Sequence, residues 1–212
     1  DRVLEAIRAR IGEYYQYTKE SLPFEIFQNA DDASVEMIEH FDVSEEARQA
    51  ATTFQVFTGP SMLTLVHFGR RINQYPLDKP DVSMGFDNDL WRMLVLSLSN
   101  KGHGGGKRHP VVTGKFGLGF KSSYLVSGRP RILSGRLAFE VVGAMYPRRL
   151  IGEERSSIDE CRAAHLGGNP QATILQLPLT DATDDEVLRT FRSLAHLIVV
   201  FARRIRCCIF ND

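Results

Sequence analysis

An excess of charge of either sign is missing from this chain. Its 26 Lys and Arg balance 26 Asp and Glu, a formal net charge of 0. No global field therefore draws it toward nucleic acid or an anionic membrane surface. Long apolar runs are missing too. The longest, residues 194–202, contains His196 and falls well short of the roughly 20 residues a bilayer span needs. Cysteine is sparse, with Cys161, Cys207 and Cys208 as the three. Neighbouring residues of a strand face opposite sides, so Cys207 and Cys208 make a poor disulfide pair. The three read as reduced thiols of a cytoplasmic protein. Cys161 and His165 have a helical metal-ligand spacing, but no partner pair accompanies them, which argues against zinc. The sequence opens at Asp1 without Met and shows no signal peptide. It reads as an excised piece of a longer protein whose downstream domains are expected partners.

What is present is an ordinary globular composition. Of 212 residues, 43% are hydrophobic and 25% charged, enough for one domain, residues 1–212, with a two-layer core. Residues 3–19 repeat apolar side chains at helical spacing. Ser21 as cap and Pro23 in the first turn open a second helix, FEIFQNADDASVEMIEHF. A polar connection, residues 42–52, leads to a β-branched hairpin, 54–58 and 62–67, turning at Gly59-Pro60. Residues 76–113 are rich in Gly, Pro and Asp, include KGHGGGK, and are interrupted by one helix at 88–98. That stretch is too long for a passive loop and reads as a mobile lid. Strands are expected at 130–133, 137–142 and 172–177, with a polar excursion over 146–170. A capping box of Thr183 and Glu186 opens a helix over 183–204, and residues 207–210 close as a strand. This order predicts an α+β fold: a two-layer α/β sandwich, a mixed sheet with helices on one face.

Two stretches carry chemistry. GKFGLGFKSSYLVSG, residues 114–128, places Gly114, Gly117 and Gly119 ahead of a helix start. Free N–H groups and the positive helix end there suit an anion, although a tight turn would look similar. The Walker pattern fails because Phe120 separates Gly119 from Lys121, and the dinucleotide pattern fails at Ser122. On the second helix, Glu25, Asn29 and Asp32 stand at i, i+4 and i+7, hence on one face. Ile26, Ala30, Ala33 and Met37 form a neighbouring face that can pack on a sheet. An Asn oxygen suits Mg²⁺, which leans on water and substrate phosphates for its remaining ligands. A Glu one turn earlier can position or deprotonate a water for attack on a γ-phosphate.

These stretches resemble a known family. FEIFQNADDA is similar to the Asn-box of the GHKL ATPases (gyrase, ninety-kilodalton heat-shock chaperone, histidine kinase and MutL). GKFGLGFKSSYLVSG resembles the second glycine box of the heat-shock chaperones. QNADDA, the upstream tyrosines, and FGLGF followed by SGRPRILSG are most similar to the sacsin-type branch. The resemblance runs from about Tyr15 to Asn211. It implies a Bergerat fold that binds ATP with Mg²⁺ under a lid and hydrolyses it slowly as a conformational switch. By position it implies Glu25 as catalytic base, Asn29 as magnesium ligand and Asp32 as a nucleotide-site residue. It assigns Gly114, Phe116, Gly117, Gly119 and Phe120 to the phosphate box, Lys101 to the lid, and Thr173 to water-mediated adenine recognition. A nucleotide-dependent homodimer is a further implied partner.

One departure stands out. The family carries an Asp after the strand over 63–66 to accept from the adenine amino group, and this chain has His67-Phe68-Gly69. Either His67 replaces the acceptor through a neutral ring nitrogen, or Phe68 packs on the base. The alternative function is a degenerate GHKL fold serving as a non-hydrolytic binding or interaction module. A DNA-processing ATPase is disfavoured because the Arg residues of RRINQY and RPRILSGR are scattered, as on a solvated surface. No phosphoacceptor His motif supports a histidine kinase.

Overall fold

A computed structural model describes residues 2–76, 85–94, 119–179 and 184–211. Two tight hairpins begin the sheet. β1 (Thr53–Gly59) and β2 (Met62–His67) pair antiparallel with Gly59 opposite Met62. Pro60 holds φ negative and Ser61 takes φ 53, the order of a type II turn. β3 (Arg131–Ser134) and β4 (Leu137–Val142) turn through Gly135 at φ 59. With β5 (Tyr146–Arg149), β6 (Thr173–Pro178) and β7 (Cys207–Asn211) the order is β5-β4-β3-β6-β2-β1-β7. Among the described residues β7 runs parallel to β1 and every other neighbouring pair is antiparallel, a mixed sheet.

Strand alternation divides the apolar residues between two faces. The inner face presents Phe54, Val56, Leu63, Leu65, Ile132 and Leu175 to three helices: α1 (Arg2–Tyr15), α2 (Leu22–His40) and α6 (Asp184–Phe201). Ile11, Leu22, Ile26, Phe27 and Phe191 of those helices complete this main core. The α+β two-layer sandwich expected from the element order is the observed architecture.

The hairpins, the closing strand and the long helices fall within a few residues of their sequence-derived places. A short helix, α3 (Glu45–Ala50), lies in the polar connection, its start capped by Ser44 Oγ accepting from the Ala47 N–H at 3.3 Å. The helix expected at 88–98 appears as α4 (Asp89–Leu94), with residues 95–98 outside the described set. Within the expected lid, residues 77–84 and 95–113 lie outside it as well, as does Thr183 of the expected capping box.

Two expectations need correction. Ser21 does not cap α2: it has helical dihedrals, and its Oγ accepts from the Thr18 N–H instead. The chain enters α2 directly from a 3-10 turn, Lys19–Ser21, with Pro23 in the first helical turn. The polar excursion over 146–170 is regular structure, β5 followed by α5 (Gly152–Leu166). This helix packs on the outer face of the sheet, where Ile158 and Leu166 meet Val66, Phe68, Leu133, Ala138 and Ile174. So few apolar residues give almost no helical stripe, and Arg155–Asp159 and Arg162–Asp159 pairs support its exposed side. No helix among the described residues is long and apolar enough to cross a membrane.

Asp31 ties the helical layer to the sheet edge. Its buried carboxylate accepts from the backbone N–H groups of Arg203 (2.7 Å), Arg204 (2.8 Å) and Ile205 (2.8 Å), just after α6. Asp31→Ala leaves three inward N–H groups unmatched. We expect a loss of about 3 kcal/mol in urea unfolding, and a smaller loss for Asp31→Asn, which keeps one acceptor oxygen.

Candidate functional site

A cavity of about 250 Å³ opens between α2 and the inner face of the sheet. Its floor is two cross-strand rows. Ile132 and Leu65 flank Leu175 and form with it an apolar row. One step along, Ser134, Thr173 and His67 form a polar row, of which Thr173 and His67 line the cavity. The wall is α2, which contributes Asn29, Asp32, Ala33 and Glu36 because their spacing puts them on one side of the helix. Arg70, Asp89 and Arg92 line the far end, and Gly119 with Phe120 lines the other.

At Gly119 the glycine loop meets the helix. A Cβ there would lie 2.7 Å from Asn29 Nδ2 and 2.9 Å from Glu25 Oε2. Any larger residue there would have to push the ends of both side chains aside. The chain then enters a 3-10 helix, Phe120–Leu125, held by Ser122 Oγ donating to the Gly119 carbonyl at 2.7 Å. Phe120 is mostly core, edge-on to Tyr124 at 5.8 Å. Gly114, Phe116, Gly117 and Lys101 lie outside the described residues.

The carboxylates here are displaced from their ordinary behaviour. Partial burial pushes the Glu25 pKa up, opposed by a hydrogen bond from the Tyr17 hydroxyl. That Tyr17 hydroxyl is itself pushed up to about 12 by burial and the adjacent Glu25 charge. Asp32 is raised to about 6, first by burial and then by the neighbouring Glu36 and Asp31, with Arg203 opposing.

His67 faces Thr173 across the β2–β6 ladder. Its Nδ1 accepts from the Gly69 N–H at 3.2 Å. Burial and the nearby Arg70 charge lower its pKa to about 4, so the ring is neutral near pH 7 and carries its proton on Nε2. The acceptor nitrogen expected for a base is therefore already used. Phe68 does not reach the cavity either: it packs on the outer face with Leu133 and Ile174. Gly69 is not a lining residue. A Cβ on it would sit 2.5 Å from the Ala33 carbonyl carbon, so its role is to let β2 touch α2. Thr173 Oγ1 shares a 2.7 Å hydrogen bond with Ser134 Oγ, which also accepts from the Ile72 N–H at 3.0 Å.

Sequence reasoning missed Arg70, reading it as solvated. It is buried, pairs with Glu36 (2.7 Å) and Asp89 (2.6 Å), and lies 3.9 Å over the Phe86 ring. Its acidic partners are far away in sequence, so spacing could not reveal them. Tyr17 was legible only as one of several upstream tyrosines.

Among the described residues no group of three or more His, Cys, Asp and Glu converges as a metal cage. At Gly119 a Cβ would also lie 3.2 Å from the Asn29 amide oxygen, and a hard amide oxygen is a ligand type that magnesium takes. A second, more open groove of about 380 Å³ lies on the outer face, near Cys161 and His165. There the His165 ring rests on Phe57 at 4.9 Å. Compared with known proteins, the chain matches no family model and no curated protein.

Asp32 gives a signed pH prediction. Its folded value of about 6 exceeds the ordinary 3.8. Its contribution to stability is thus present below 3.8 and lost as pH rises through 6. Asp32→Asn should gain stability over wild type between pH 4 and pH 7. The expected gain is on the order of 1 kcal/mol after solvent screening, read from urea midpoints at the two pH values.

Proposed function

We propose that this chain is a GHKL-type domain that binds a magnesium–nucleoside triphosphate in the α2 cavity and hydrolyses it slowly as a conformational switch. ATP is the nucleotide implied by the resemblance. The observation that carries the reading is the seat of Gly119 against both Glu25 and Asn29. It brings the end of a phosphate-loop sequence onto a helix face with a base and a magnesium ligand. Magnesium, when bound, supplies neutralisation of phosphate charge.

The chain's own groups have distinct tasks in this reading. The Asn29 amide oxygen holds the ion's position. The Glu25 carboxylate, its pKa raised by burial and held by Tyr17, takes a proton from the attacking water. The apolar floor row receives the base and excludes water from it. Arg70 links the cavity to α4, within the segment read as a lid, through Asp89. Ligand binding at the cavity can thereby be felt by α4, and through it by neighbouring domains or a second copy.

Calorimetry of the 212-residue chain with Mg²⁺ and ATP tests this reading. Asn29→Ala should abolish magnesium-dependent binding. Glu25→Gln should bind normally while phosphate release falls about 100-fold or more. Binding with no hydrolysis in the wild type would favour the non-hydrolytic module, and absence of binding by every purine nucleoside triphosphate tried would contradict the proposal.

A further inference from the structure

The cavity floor carries one polar row, and the direction of its central hydrogen bond is fixed. His67 lies between Thr173 on β6 and Phe54 on β1. A backbone N–H can only donate, so the bond from the Gly69 N–H makes His67 Nδ1 the acceptor. The one remaining polar atom of the neutral ring is Nε2–H. The site therefore offers a donor at this point.

From this geometry we infer that the site prefers a purine carrying a carbonyl at position 6, guanine or hypoxanthine, over adenine. The inference rests on the nucleotide reading of the same cavity. A 6-oxo group is an acceptor with two lone pairs and can take the His67 Nε2–H. An adenine amino group at the same place would set donor against donor and leave both unmatched. Such a mismatch in a partly desolvated site costs about a tenfold loss of affinity or more. The neighbouring hydroxyl does not oppose this choice. Thr173 Oγ1 is engaged with Ser134, and a hydroxyl can turn its hydrogen toward a carbonyl or accept in its place. The fixed acceptors of the cavity, Asp32 and Glu36, stand on the α2 wall rather than the floor. Strand geometry holds the arrangement, since Gly69 is pressed against Ala33 and its N–H cannot turn away without separating β2 from α2.

The test is a ranking of ATP, GTP and ITP by calorimetry on the wild-type chain at fixed Mg²⁺. GTP and ITP are expected to bind about tenfold more tightly than ATP. ITP lacks the 2-amino group, so its grouping with GTP assigns the preference to the 6-carbonyl. ITP as weak as ATP overturns the inference, as does ATP binding equally or more tightly, and either result leaves the nucleotide reading standing. Failure of all three to bind overturns both. His67→Asp exchanges donor for acceptor and should reverse the order. A folded His67→Asp chain that keeps the wild-type order contradicts the assignment. Should that variant not fold, the wild-type ranking still decides. Long-range proton–nitrogen correlation of His67 should independently report the Nε2–H tautomer at pH 7, and an Nδ1–H form would overturn the argument.

Discussion

The contact between Gly69 and α2 fixes the site more than any other single feature. No side chain separates the two backbones, and the Arg70 N–H donates to the Ala33 carbonyl at 2.8 Å. Helix and sheet are thus joined at the end of β2, where the strand leaves the sheet. Three consequences follow within four residues. His67 receives the Gly69 N–H, Phe68 turns to the outer core, and Arg70 is delivered beneath α4. The Gly69 carbonyl is in turn held by Gln171 Nε2 at 2.9 Å, just before β6. A larger residue at 69 would have to displace backbone, since the Cβ would meet main-chain atoms of Ala33 and Ser34 rather than a flexible side chain.

Around that junction the cavity is electrostatically divided. Asp31, Asp32 and Glu36 crowd negative charge along α2, and the chain answers each differently. Asp31 is neutralised by three backbone N–H groups. Glu36 is paired with Arg70. Among the described residues Asp32 has no comparable partner, only the opposing charge of Arg203, and its pKa is raised. At the opposite end Glu25 is held by Tyr17 beside Gly119. A ligand carrying a metal-neutralised phosphate group at one end and a hydrogen-bonding ring at the other matches this division, which underlies the nucleotide proposal.

Much of this was legible in sequence because it is local. Periodicity placed α2 and the face of Glu25, Asn29 and Asp32. Alternation and turn residues placed both hairpins, and Gly119 was singled out by its loop. What escaped is non-local or lacks an apolar stripe. The roles of adjacent Asp31 and Asp32 diverge only because the turn after α6 docks on one of them. Arg70 looked solvated because its partners Glu36 and Asp89 lie on other elements. α5 hid because Ile158 and Leu166 supply most of its buried surface. The expectation for His67 missed the direction of a hydrogen bond, which spacing cannot express. Phe68 faces away from the cavity because successive strand residues alternate, and its neighbour His67 already takes the inner side.

The central claim is that a magnesium–nucleotide occupies the cavity between α2 and the inner sheet face. It is tested most directly by mapping amide NMR shifts on titration with Mg²⁺ and a non-hydrolysable purine nucleoside triphosphate. The account predicts saturable shifts at Asn29, His67, Gly119 and Thr173, with the outer groove at Phe57, Cys161 and Gln176 unchanged. Shifts confined to that outer groove, or none at saturating nucleotide on a folded chain, would contradict it.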